Sequence, residues 1–127
     1  MGTPIYPTVE EVLALHSLLL SRYGGEPGVR DLGLLDAALH RPRSGYYDSL
    51  SEQAAALLQS LANNHAFIDG NKRVAFATMA IFLRLNGFDL RATADDAEAF
   101  LIGEVIQARA PLPQIATWIE EHIMALG

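Results

Sequence analysis

The chain predicts an all-α fold, a bundle of about six helices around a buried central helix with a short loop at residues 41–50. Three observations carry this expectation. Apolar residues recur at helical spacing through almost the whole chain, and two capping boxes mark helix starts. The stretch Val74-Ala75-Phe76-Ala77-Thr78-Met79-Ala80-Ile81-Phe82-Leu83 is apolar on nearly every side, as expected of a helix buried all round. With 127 residues and 50% hydrophobic content the chain can fill one core and is too short for two, so residues 1–127 read as one domain.

The elements follow in order. Thr8-Val9-Glu10-Glu11 matches a capping box, after which Val9, Val12, Leu13, His16, Leu19, Leu20 and Tyr23 share a helix face until Gly24-Gly25 stops the turn. Asp31 can cap a short helix through Leu34, Leu35, Ala38 and Leu39, which Pro42 ends. Residues 41–50, with Pro42, Gly45 and the pair Tyr46-Tyr47, read as a loop or small hairpin. Ser49-Leu50-Ser51-Glu52 is the second capping box and opens a helix whose apolar face includes Leu57, Leu58, Leu61 and Ala62. On that spacing His65 falls in line with Leu58 and Leu61, so it is expected to face inward. A tight Ile68-Asp69-Gly70 connection starts the buried helix, which runs to Asn86-Gly87. Thr93 or Asp95 caps a further helix through Phe100, Leu101, Val105 and Ala108. Pro111-Leu112-Pro113 introduces a last one with Ile115, Trp118, Ile119, Ile123 and Leu126 inward. Strand signals are weak outside residues 41–50 and Phe88-Asp89-Leu90.

Composition narrows the function. A net charge of −6 argues against a nucleic-acid surface, because nine Lys and Arg form no evident basic patch. The chain has no cysteine, hence no disulfide framework or thiolate metal site, which fits a reducing cytoplasm. Met1-Gly2-Thr3-Pro4 lacks the look of a secretion signal. The longest apolar stretch, broken by Thr78 and ended by Arg84, falls short of the roughly 20 residues a membrane span needs. A cytoplasmic protein with no membrane partner is the expectation.

The chemistry concentrates in His65-Ala66-Phe67-Ile68-Asp69-Gly70-Asn71-Lys72-Arg73. These residues join a proton acceptor, a hard carboxylate, a flexible backbone position, an amide and two cations at the start of a helix, where unpaired N–H groups and the macrodipole already favour an anion. His65 suits a general base, provided its imidazole is neutral at working pH. Asp69 suits Mg²⁺ between nucleotide phosphates, since that ion takes one or two carboxylates plus phosphate oxygens. Gly70 lets the backbone approach the phosphates, Asn71 can donate to a phosphoryl oxygen, Lys72 supplies a point charge and Arg73 a bidentate fork. Phe67 is expected to anchor the loop in the core. His16 reads as a satisfied core histidine, and His40 and His122 as cations near helix C-termini. Asp69 as a mere cap, with Lys72 and Arg73 merely solvated, would leave Gly70, Asn71 and His65 unexplained.

This run resembles the Fic/Doc signature: His, any residue, Phe, any residue, Asp or Glu, Gly or Ala, Asn, a variable position, then Arg. Lys72 after Asn71 is the form of the Doc (death-on-curing) branch, whose chains Tyr23-Gly24-Gly25, Pro27-Gly28-Val29-Arg30-Asp31, Leu34-Leu35, Ala38-Leu39 and Asn86-Gly87-Phe88 also resemble. The resemblance implies an ATP- and Mg²⁺-dependent toxin kinase that phosphorylates a protein hydroxyl, in Doc a threonine of elongation factor Tu, and so arrests translation. It also implies control by a separate, short Phd-like antitoxin, and a flap that positions the target, a use Tyr46 and Tyr47 would suit. Branch members that transfer AMP typically have Gly in place of Lys72 and a second Arg in place of Phe76, so both departures point away from AMP transfer. Gly70 stands where some Doc proteins have Ala and is the more Fic-like choice. AMP transfer is the alternative within enzymes, and an inactive nucleotide- or partner-binding relative the alternative outside them. Thr117-Trp118-Ile119-Glu120-Glu121-His122 approaches the self-inhibitory pattern of some Fic proteins but ends in His, and is read as coincidence.

Overall fold

The computed structural model describes residues 3–127; Met1 and Gly2, part of the start read above for a secretion signal, lie outside the described residues. Helix α1 (Val9–Tyr23) begins with the expected box: Thr8 Oγ1 accepts from Glu11 N at 3.1 Å, and Glu11 Oε1 accepts from Thr8 N at 2.9 Å. Helix α2 (Leu32–His40) is capped by Asp31, whose Oδ1 accepts from Leu34 N at 3.1 Å. Pro42 is buried in the 3-10 turn Arg41–Arg43 that follows, and the segment continues through bends without strand pairing, so residues 41–50 form a loop and not a hairpin. The Ser49–Glu52 box then opens α3 (Leu50–Asn63), and α4 (Asn71–Leu85) follows the motif loop. Thr93, rather than Asp95, caps α5 (Ala94–Glu98), which passes into a π-helical segment, Ala99–Gln107. Helix α6 (Leu112–His122) completes the set.

The helix buried all round is α3, and α4 is not. Gln53, Ala54, Ala55, Ala56, Leu57 and Leu58 are buried in succession, which no amphipathic helix allows. The alanines let neighbours close in on every side, and α3 packs against both α4 and α6. Helix α4 buries Val74, Ala75, Thr78, Met79, Phe82 and Leu83, while Arg73, Ile81 and Arg84 face out, Ile81 being 40% exposed. Apolar composition alone could not distinguish a buried stripe from a buried cylinder. Tyr23 and Ala108, also expected inside, are exposed.

The expected final helix is cut short by a small sheet. Its last turn leaves helical geometry at Ile123 (φ −101°, ψ 152°), and β2 (Ile123–Ala125) pairs antiparallel with β1 (Phe88–Leu90), Leu90 opposite Ile123 and Phe88 opposite Ala125. Strand β1, just past the α4 stop at Gly87, would otherwise present unpaired N–H and C=O groups. Leu126 N donates to Gly87 O at 2.8 Å, and the neighbouring Asn86 binds Ile5 through both ends of its amide, each at 2.8 Å. Among the described residues no helix is long and apolar enough to cross a membrane.

Candidate functional site

Helix α3 stops at Asn63, and His65 takes up a left-handed backbone (φ +53°). It therefore leaves the Leu58–Leu61 face and is exposed, which corrects the inward placement. A non-glycine residue in this region costs about 1–3 kcal/mol and persists only when its surroundings impose it. The segment before α2 does so. Arg30 donates from Nε to His65 O at 2.6 Å and from Nη2 to Asn64 O at 3.0 Å, and its own N–H reaches Ala66 O at 2.8 Å. Val29 forms a β-bridge with Phe67, and Ile68 N donates to Gly28 O at 3.1 Å.

Phe67 is the anchor expected of it, 1% exposed and stacked on the His16 ring at 3.8 Å. His16 does more than fill the core. Its Nε2 lies 2.8 Å from Asp69 O, a contact that requires the proton on Nε2, so a residue on α1 holds the turn into α4. That turn favours glycine through its backbone, φ +79°, and not through lack of room, since a Cβ there would sit 3.5 Å from His16 Nε2 in ordinary contact.

Asn71 has a structural use beside the expected one. Its Oδ1 accepts from Phe67 N at 3.0 Å and its Nδ2 donates one of its two N–H groups to Phe67 O at 2.9 Å, which closes the loop and leaves the second N–H for another acceptor. Asn71 also offers its backbone N–H. The first intrahelical bond of α4 is Val74 N to Gly70 O, so the amides of Asn71, Lys72 and Arg73 have no partner in the helix, and Gly70 supplies no side-chain cap. No acidic residue occupies this first turn; Lys72 and Arg73 do, where the dipole disfavours them by about 0.3–1 kcal/mol each. Such a placement favours an anion brought from outside. Both side chains are exposed, and the Arg73 guanidinium lies 4.4 Å over the Tyr23 ring.

Asp69 is exposed, its Oδ2 accepting from Glu26 N at 3.0 Å and its Oδ1 from Gly70 N at 2.8 Å. The Glu26 amide, then that of Gly70, lower its pKa below the usual 3.8, so it is ionised at neutral pH. Gly25 makes this possible: a Cβ there would lie 2.9 Å from Asp69 Oδ2. Two amide bonds still leave lone pairs on a carboxylate, and one ionised carboxylate beside phosphate oxygens is a donor set that Mg²⁺ accepts.

The two tyrosines of the 41–50 loop part company. Tyr47 is held to the body, its hydroxyl accepting from Arg41 Nε at 2.9 Å while Arg41 Nη1 reaches Ser60 on α3. Tyr46 is 84% exposed. At the other end of α3, Ser51 donates to Glu120 of the Thr117–His122 stretch, roughly 20 Å along the helix from the motif, so that stretch is not placed to block it. Arg30, His16, Gly25 and Tyr23 complete the site and were assigned no chemical part in it from sequence. For Tyr23, Gly25 and Arg30 the only signal was that they join the family resemblance without a role of their own, and for His16 only its place on the apolar face of α1.

The outer face of α4 borders an apolar groove of about 420 Å³ with β1 and α5, lined by Phe76, Ala80, Ile81, Leu90, Ala94 and Ala97 among others.

A family model described as the Fic/DOC family matches residues 6–83, a span that holds every site residue named above from His16 to Arg73. Toxin Doc of Mycolicibacterium smegmatis is 47% identical over 113 residues, covering 84% of this chain and 85% of that protein. Protein kinase doc of Escherichia phage P1 is 40% identical over 103 residues, covering 76% and 82%.

Proposed function

The chain belongs to the Fic/DOC family, and from that premise we propose that it is a Doc-type toxin kinase, moving the γ-phosphate of ATP to a Ser or Thr hydroxyl of a protein target. The observation that carries the reading is the first turn of α4, where Lys72 and Arg73 flank three unpaired amides and no second arginine follows, Phe76 standing in its place. Phosphoryl transfer needs positioning and charge neutralisation more than covalent help, and this equipment suffices for it. AMP transfer must stabilise a departing pyrophosphate, and the second cation for that is missing. The names of the two relatives, one a toxin and one a protein kinase, support the same choice.

In this reading His65 takes the proton of the target hydroxyl. The amides of Asn71, Lys72 and Arg73 hold phosphate oxygens, with the Lys72 charge beside them. Arg73 leaves Tyr23 to fork onto the transferring group. Asp69 would hold Mg²⁺, which screens the triphosphate when bound. Tyr46 is the flap residue left free to meet a target. Elongation factor Tu is the proposed target, with arrested translation in the cytoplasm as the outcome. A short Phd-like antitoxin is the proposed controlling partner, an amphipathic helix laid into the apolar groove beside α4.

The deciding experiment supplies the protein and elongation factor Tu, or a bacterial lysate, with ATP labelled at the α or the γ phosphate. Label should reach a protein from the γ position alone. Transfer from the α position would replace the kinase reading with AMP transfer, and no transfer from either would favour the inactive relative.

A further inference from the structure

Three successive carbonyls, those of Asn64, His65 and Ala66, converge on a single residue, Arg30. Regular backbone does not do this: in an extended chain successive carbonyls point to opposite sides, and in a helix they lie parallel to the axis. The left-handed turn at His65 is what brings them together, and the exposed Arg30 is what receives them. The guanidinium also meets the C-terminal end of α3, where a cation complements the helix dipole and can bind the last carbonyls. Locally, Asn64 Oδ1 accepts from Ala66 N at 3.2 Å across His65, and Arg30 adds the long-range hold on the same turn. Helical continuation would carry His65 onto the inward face shared by Leu58 and Leu61.

We propose that Arg30 is the positioning residue of the site: by gathering these carbonyls it ends α3 at Asn63 and turns the His65 imidazole out of the core to the face where phosphate is handled. Arg30 touches no reacting atom. The proposal rests on the reading of His65 as the base, and it adds a residue outside the motif on which the geometry of that base depends. The turn at residues 69–73 is held by His16, by Asn71 and by the backbone of Glu26 and Gly28, none of which uses the Arg30 side chain, so loss of that side chain should leave nucleotide binding in place.

Arg30→Met and Arg30→Lys test this with two readouts. The three-bond HN–Hα coupling and backbone chemical shifts of His65 report its φ with no reference to catalysis, and in Arg30→Met they should move from left-handed towards helical values. With γ-labelled ATP and the target, kcat should fall about tenfold to a hundredfold while the KM for ATP stays unchanged, as expected for a misplaced base beside an intact nucleotide site. Arg30→Lys keeps the cation and can reach one carbonyl, so it should recover part of kcat; it also carries the test alone if the Met variant does not fold. An unchanged His65 coupling in the variants overturns the proposal. So does a changed coupling with undiminished kcat in a protein that His65→Ala inactivates. A wild type that transfers no phosphate defeats the kinase reading only, and the coupling then still decides whether Arg30 holds His65.

Discussion

The side chain of Asn71 grips the backbone of Phe67 at both ends, accepting from its N–H at 3.0 Å and donating to its C=O at 2.9 Å. This clasp closes the loop between α3 and α4, and it places Asn71 among the residues that shape the site. Asn71→Ala would leave a part-buried donor and acceptor unsatisfied and should destabilise the domain by about 2–3 kcal/mol. Asn71→Asp keeps the acceptor for Phe67 N but sets a carboxylate oxygen against Phe67 O, so it should cost at least as much as the alanine variant. Urea midpoints of the three proteins check the order, and an alanine variant as stable as wild type would remove the clasp from the account.

Position 81 separates two views of α4. A helix buried all round would be unfolded by Ile81→Asp. With Ile81 40% exposed, that variant should instead fold, with a change in stability near 0.5 kcal/mol. Its neighbour Phe82 is 0% exposed, and Phe82→Ala should cost about 3–5 kcal/mol. Thermal melts of both variants compare the sites directly. Because Ile81 lines the apolar groove, Ile81→Asp should also weaken binding of the proposed Phd-like antitoxin helix, measurable by titration calorimetry with such a helix.

His65→Ala removes an exposed side chain, so the fold and nucleotide binding should survive. Phosphate transfer should drop by roughly 10²–10⁴-fold, the usual worth of a general base. A bacterial host should tolerate the variant while the wild type arrests its growth; equal arrest by both would take His65 out of the chemistry.

Asp69 sets a pH window. Its folded pKa lies below 3.8 because the amides of Glu26 and Gly70 favour the carboxylate. A lowered folded value means that the stabilisation is complete above the ordinary carboxylate range and disappears as pH falls through the folded pKa. The stability difference between wild type and Asp69→Asn should therefore be level from neutral pH down to about 5 and shrink below about 4. Denaturation curves across that range measure it, and a difference independent of pH would show that the two amides do not favour the charged form.

The helices that sequence reasoning could place were those whose ends carry their own instructions. Thr8 with Glu11, Asp31 alone, and Ser49 with Glu52 each act within one turn, so local residues suffice to locate α1, α2 and α3. The motif was legible for the same reason, its residues lying side by side at the start of α4. Long-range partners decided what was missed. His65 turns outward because Arg30, 35 residues earlier, takes its carbonyl, and His16 serves a loop 53 residues away. Ile123 left the last helix because β1 offered an edge, and α3 outranked α4 in burial because small residues, poor in hydrophobic signal, let neighbours close in.

Asn86 and Gly87 bear on how the molecule can be handled. Ile5 is fastened to Asn86 and Leu126 to Gly87, so both ends of the described chain are moored to two adjacent residues just past the C-terminal end of α4. The Gly70–Arg73 turn lies at the opposite end of that helix, 15 residues and roughly 22 Å away. A fluorescent tag, a surface tether or a fused carrier on either end would therefore hang from the far pole, leaving the approach to His65 open. Joining Ile5 to Leu126 through a short peptide, with new ends opened near the exposed Tyr46, is correspondingly a sensible route to a circular permutant.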